Sequence, residues 1–447
     1  MLAMRRCQHS GPIDPPARRP DPPKAGDGAA SGGSGTPVTT NQAPGLSILD
    51  RRRARSKWGI GLLIGLTTTA PLAVDMFLPS MPNMAEEFEA PTATVQLAVT
   101  LFLLAFAASQ LVYGPVSDRF GRRPALIAGL VLFIAGGVLS LFAWSAEALI
   151  LGRIVQGIGG GAGPAIGRAM VLDIFGRDRA AQILAYMAMA TPLAPTLAPI
   201  VGGVLQDLFD WRAVFVTLIG IGVFLLVAYR ATFPETNVRQ DSRALDAVQM
   251  SRNYRALLTH RTFLAYALAM GLMFSGQLVF ISGSSFVLIE ELGLSPAQFG
   301  FGFGFVAMGL ISGAFLSSRL VVRWADSRVV LFGAALAASG AAIMATLAWS
   351  GVASPWAVLL PMFFFAGGNG IVRPAAMAGA LIPFERMAGL ASALLGFCQM
   401  VFATLYNIGF SQLIELDQVS LASAIAAAAA CNLTMLLLLR PSASSGR

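Results

Sequence analysis

The chain has 447 residues, of which 55% are hydrophobic and only 12% charged, with a formal net charge of +8. Soluble domains carry about 25% charged residues, so most of this surface faces lipid, and no polar stretch is long enough to form a soluble catalytic domain. A positive balance points to nucleic acid only where a basic face is exposed; here the arginines fall in short loops between apolar runs, which excludes that class.

Residues 1 to about 50 are rich in Pro, Gly, Ser and Ala and predict a disordered tail. No apolar stretch precedes Trp58, so the tail is not a secretory signal peptide. The cluster Arg51, Arg52, Arg53, Arg55 and Lys57 abuts the first apolar run, the usual cytoplasmic flank of a first membrane helix. Twelve runs follow, at about 58–79, 94–116, 124–144, 147–170, 180–205, 211–230, 262–288, 296–320, 329–350, 355–378, 389–412 and 419–439. Each is long enough to cross a hydrocarbon core of ~30 Å, which predicts an all-α membrane protein.

The first run contains Val74-Asp75-Met76-Phe77-Leu78-Pro79, with Asp75 about four residues from its far end. Asp75 is the carboxylate expected inside the bilayer and the candidate proton site; the alternative is an end residue that reaches water. After the second run comes Gly114-Pro-Val-Ser-Asp118-Arg119-Phe-Gly121-Arg122-Arg123. Gly114 would allow close helix approach, while Asp118 near a helix end can pair with loop arginines and latch one conformation. The fourth run carries Arg153-Ile-Val-Gln156-Gly157. An arginine within an apolar span costs ~2.5 to 3.5 kcal/mol on insertion scales, so it should face a partner or a watery cavity, or else snorkel to the surface. Asp75 and Arg153 fall at similar depth. A carboxylate disfavoured by low dielectric but favoured by an arginine can titrate in a useful range, which pairs them as candidate proton-coupling residues. The glycines from Gly157 to Gly163 lie inside an apolar helix and read as packing, not as a phosphate loop. In the fifth run, Pro195, Pro199, Gly202 and Gly203 predict a helix with a distorted ladder and tight crossings.

The segment Thr232 to His260 is the longest internal polar stretch and reads as a cytoplasmic linker. The expected organisation is a basic tail at 1–57, a six-helix bundle at 58–231, a linker at 232–261, a second six-helix bundle at 262–440 and a short tail at 441–447. Ser295-Pro296-Ala297-Gln298 opens the eighth run as an N-cap, an N1 proline and a capping partner. Gln277, Asn369, Gln399 and Asn407 sit at membrane depth in the second half, either as polar points of an apolar substrate cavity together with Met76, Phe77 and Gln156, or as helix-to-helix hydrogen bonds. Arg373, near the end of the tenth run, reads as a topology-setting charge.

Threading the chain in from the cytoplasm places Arg119, Arg122, Arg123, Arg177, Arg179, Arg230, Arg239, Arg243, Arg252, Arg255, Arg319, Arg323, Arg328, Arg386 and Arg440 on the inside. The opposite loops hold acids such as Glu86, Glu87, Glu89, Asp207, Glu290, Glu291 and Asp417, with Arg212 as their basic residue. This positive-inside segregation fixes number and orientation, with both termini cytoplasmic. Cys398 and Cys431 lie within apolar runs, Cys7 in the tail, and none has metal-ligand spacing; His9 and His260 lie outside the runs. Neither a nucleotide-binding loop nor a catalytic triad is present, so an enzyme is not expected and no cofactor is implied.

The loop at Gly114 to Arg123 resembles the major facilitator signature GxxxDRxGRR, the stretch at Arg153 resembles its RxxQG element, and Leu193 to Gly203 resembles the helix-five GPxxGG of its antiporters, with Ala198 where that pattern has glycine. Together with VDMFLPSMP, DWRAVF and SSFVLIEELGLSPAQFGFGF, these resemble the Bcr/CflA drug-resistance branch of the twelve-helix drug:proton antiporters. The resemblance implies two six-helix bundles related by a pseudo-two-fold axis, and a monomer in the bacterial cytoplasmic membrane. It also implies export of small drug-like compounds, of bicyclomycin or chloramphenicol type, driven by the proton gradient. Some relatives carry a second acid earlier in helix one, where Thr67 stands here, which leaves Asp75 alone. The competing expectations are a nutrient or metabolite carrier on the same scaffold, and a non-concentrative sensor or channel.

Overall fold

The computed structural model describes residues 54–190, 193–237 and 247–439. The expected disordered tail, Arg51, Arg52, Arg53, Arg239, Arg243, Arg440 and the C-terminal tail lie outside the described residues, as do the side chains of Arg177 and Arg386. Every regular element among the described residues is a helix.

The first span is longer and more broken than its apolar run indicates. Helix α1 (Lys57–Asp75) ends at Asp75, a 3₁₀ turn covers Leu78–Ser80, and α2 (Met81–Glu87) continues outward. Pro79 and Pro82 stand in the first turns of the new pieces, where proline's missing N–H costs nothing, so they restart the helix instead of ending the span. The whole stretch Lys57–Glu87 is 31 residues, which puts Asp75 at an internal break and deeper than four residues from an end.

Next come α3 (Thr92–Phe120), α4 (Arg122–Leu141), α5 (Ala146–Gly160), α6 (Ala162–Ala190), α7 (Leu193–Leu208) and α8 (Trp211–Thr232). The fourth predicted span is divided between α5 and the start of α6 at Gly161, within a glycine run of low helix propensity. The fifth is divided between the end of α6, beyond a break at Gly176 (φ 69°), and α7. Among the described residues, ten other stretches are each long and apolar enough to cross a membrane. The linker holds a helix that its polar composition hides, α9 (Ala247–Leu258), with Leu257 buried and Arg255 exposed. The second half comprises α10 (Arg261–Ser285) with a π-helical extension Phe286–Glu291, α11 (Pro296–Leu320), α12 (Asp326–Trp349), α13 (Pro355–Leu381), a 3₁₀ segment Ile382–Met387, α14 (Ala388–Leu413) and α15 (Gln418–Leu439). The predicted capping box forms: Ser295 Oγ accepts from Gln298 N, and Gln298 Oε1 accepts from Ser295 N.

Alternate turns leave one arginine-rich face and one acidic face, and the apolar core divides along the same axis. One cluster joins the acidic-face part of the first eight helices, including Phe77, Phe102, Leu149, Trp211 and Phe215, to the core of the second half. A separate cluster, including Leu63, Leu126, Ile166 and Tyr229, occupies the arginine-rich end of the first half alone. The molecule is therefore closed across its acidic face, while the two cores part toward the arginine-rich face.

Candidate functional site

Asp75 and Arg153 are both buried, at 5% and 0% exposed. No ion pair joins them in this conformation, and among the described residues no hydrogen bond or ion pair reaches the Asp75 carboxylate. Arg153 does not snorkel. Its Cζ lies 4.6 Å from the ring centroid of Phe77 and 4.2 Å from that of Phe102, and its Nη1 donates to Gln156 Oε1 at 2.6 Å. Glycine makes this packing possible: a Cβ on Gly157, one turn beyond Arg153, would fall 2.5 Å from the Phe102 carbonyl. Met76, Phe77 and Gln156 are thus enclosed in packed core, and the expected role as cavity lining is corrected for this conformation.

Helix α7 is the seam between the halves. A Cβ on Gly202 would collide with the Met76 carbonyl, and one on Gly203 with the Pro296 carbonyl. In return, a Cβ on Gly300 of α11 would stand 2.4 Å from the Pro199 carbonyl oxygen, closer than a real Cβ comes. Pro199 lies inside the helix, whereas Pro195 falls in its first turn, where a proline disturbs nothing. Pro199, Gly202 and Gly203 thus stand in backbone-to-backbone packing in this conformation. Among the described residues, two hydrogen bonds also join the halves. Asp207 accepts from Ala297 N at 3.2 Å, and Asn407 Nδ2 donates to Thr100 Oγ1 at 2.8 Å while its Oδ1 accepts from Ser282 Oγ at 2.9 Å. Asn407 is consequently a helix-to-helix clasp and not a cavity residue. Gln277, Asn369 and Gln399 are buried, Gln277 with Oε1 unpartnered.

The loop signature builds a network on the arginine-rich face. Arg122 pairs with Asp118 at 2.5 Å and with Asp173 of α6 at 3.2 Å. The Glu235 carboxylate accepts from Arg122 N at 2.9 Å and Arg123 N at 3.0 Å, capping α4. Asn237 Nδ2 donates to the Asp118 carbonyl at 2.9 Å at the end of α3. Gly121 is required here, since its φ is 101° and a Cβ would stand 2.5 Å from Glu235. Burial pushes the Asp173 carboxyl above its ordinary range, and Arg122 beside it pulls the other way. Two expectations need correction. Arg119 stays outside the network, against the ring of its neighbour Phe120, and Gly114 makes no close approach, with no atom within 4 Å of where its Cβ would be. The cores part at that end, so nothing comes near it. Sequence reasoning missed Phe102, Thr100, Asp173, Glu235 and Asn237. Their partners lie far off in the chain, and no spacing announces them.

Residues 62–406 match the Major Facilitator Superfamily. The chain belongs to this family. Its curated relatives include a bicyclomycin resistance protein homolog of Haemophilus influenzae, 29% identical over 72% of this chain and 81% of that protein. A chloramphenicol resistance protein of Pseudomonas aeruginosa is 30% identical over 73% of this chain and 77% of its own length. Among solved structures, a D-xylose-proton symporter superposes with a TM-score of 0.69 at 16% identity, covering 86% of this chain and 98% of its own. A likeness at that identity carries the fold alone. As a major facilitator the protein is a multi-pass membrane transporter with a small-molecule substrate, and not an enzyme.

Proposed function

We propose that this transporter exports small drug-like compounds in exchange for protons, by alternating access between two six-helix halves, as a monomer in the bacterial cytoplasmic membrane. Positive-inside bias supports placing the arginine-rich face and both termini in the cytoplasm. The parted cores then correspond to a conformation closed to the outside and open toward the cytoplasm. The names of the resistance relatives support the substrate class.

The observation that carries the reading is Asp75. It is buried at a helix break, without a partner among the described residues, and an unpaired charge there is expensive. Alternating access lets its carboxyl take a proton from one side and deliver it to the other. Each inward elementary charge contributes ~2.3 kcal/mol per 100 mV, enough to drive export of a neutral compound. In everted vesicles, Asp75→Asn is expected to abolish uptake of chloramphenicol or ethidium driven by a pH gradient, while leaving the protein folded. Full gradient-driven uptake in that variant would remove Asp75 as the proton site.

A further inference from the structure

Arg153 is held in an unusual way. A buried arginine ordinarily meets a carboxylate or several carbonyls, yet this one has two aromatic rings against its guanidinium and a single amide oxygen, with Nε and Nη2 unpartnered. Desolvation strengthens cation–π contacts, so the rings can hold the charge without a counter-ion. The two idle N–H groups leave the guanidinium ready for an acceptor. Phe77 follows Asp75 by two residues, across the break between α1 and the 3₁₀ turn, so movement of that break shifts ring and carboxylate together.

We propose that Phe77, Phe102 and Gln156 form a clamp that positions Arg153 away from Asp75 in this conformation, and that exchange of the guanidinium between clamp and carboxylate links proton occupancy to the change of access. The inference rests on the reading of Asp75 as the proton site. A protonated Asp75 is neutral and exerts no pull, so the clamp keeps the arginine. A deprotonated Asp75 competes for it. The elements packed on α1 and the turn after it are α2, α3, α5, α6, α7, α8, α10 and α11; among their described residues the buried titratable groups are Arg153, Tyr113, Tyr229 and Tyr266, of which Arg153 is the cation. Arg153 is accordingly the cation placed to answer Asp75 among the described residues. Phe77 is further tied to the acidic face through edge contacts with Phe215, which itself meets Trp211.

Infrared difference titration of the full chain in detergent tests this without a known substrate. The carboxyl band lost in Asp75→Asn identifies Asp75. In Phe102→Leu, which removes the ring and keeps an apolar side chain, that band is expected to titrate about one unit lower in pH than in the wild type, because a freed guanidinium favours the carboxylate. Phe102→Tyr, which keeps the ring, is expected to titrate with the wild type. An unchanged midpoint in Phe102→Leu, or an equal displacement by Leu and Tyr, overturns the clamp and leaves the proton assignment standing. A spectrum in which Asp75→Asn loses no band removes that assignment and the clamp with it.

Discussion

The two faces of the molecule are held by different physics. On the acidic face the halves meet through glycine-mediated backbone contact, Gly203 on Pro296 and Gly300 on Pro199, and through the Asn407–Thr100 hydrogen bond. On the arginine-rich face the strongest polar network, Arg122 with Asp118, Asp173 and Glu235, ties the first half to the start of the linker that follows it and does not reach the second half. Among the described residues, the hydrogen bonds and glycine contacts that join the halves all sit toward the acidic face. The seam therefore bears on which conformation is adopted. The arginine network bears on the integrity of one half in either conformation.

The hardest test of that division is Gly203→Val. No room exists for a Cβ, and the atom it would meet is backbone, which cannot rotate aside. Overpacking typically costs ~1–3 kcal/mol, and here the cost falls on the closed seam. The variant is expected to lose at least about tenfold in transport and to expose a cysteine introduced at buried Ala198 to an impermeant maleimide from the acidic face. Unchanged labelling would mean that α7 and α11 do not form the gate. Asn407→Leu should act in the same direction with a smaller effect. It removes two buried hydrogen bonds, worth ~0.5–1.5 kcal/mol each, and leaves Thr100 Oγ1 its bond to the Gln96 carbonyl. Labelling at position 198 is expected to rise several-fold while thermal stability changes little.

Much of this arrangement is legible in the chain itself, and the boundary of legibility has a physical cause. Apolar length and charge segregation report how often the chain crosses and which loops share a face, because lipid imposes both locally. The Ser295 capping box is equally local and forms as its spacing predicts. The loop signature marks Asp118 and Arg122, but Glu235, which caps the same loop, lies 113 residues from Arg122. The same holds for Phe102 against Arg153, since pairing across helices leaves no period in the sequence. The apolar run alone puts Asp75 near an end, whereas Pro79 and Pro82 start new helical pieces that carry the span further outward. The close approach that Gly114 permits depends on conformation, and here the helices stand apart beside it.

Glu235→Ala is the smallest expected effect and the one that separates the two faces most cleanly. Loss of its carboxylate leaves Arg122 N and Arg123 N without their acceptor at the start of α4. Losing such a cap costs ~1–2 kcal/mol, offset in part where water can reach this half-buried site. Because Arg122 keeps Asp118 and Asp173, the loop should stay in place. The melting temperature in detergent is expected to fall by a few degrees, with labelling at position 198 and pH-gradient-driven uptake in everted vesicles both unchanged. A shift in labelling comparable to that of Asn407→Leu would show that the arginine network reports to the seam, and that the two faces form one conformational device.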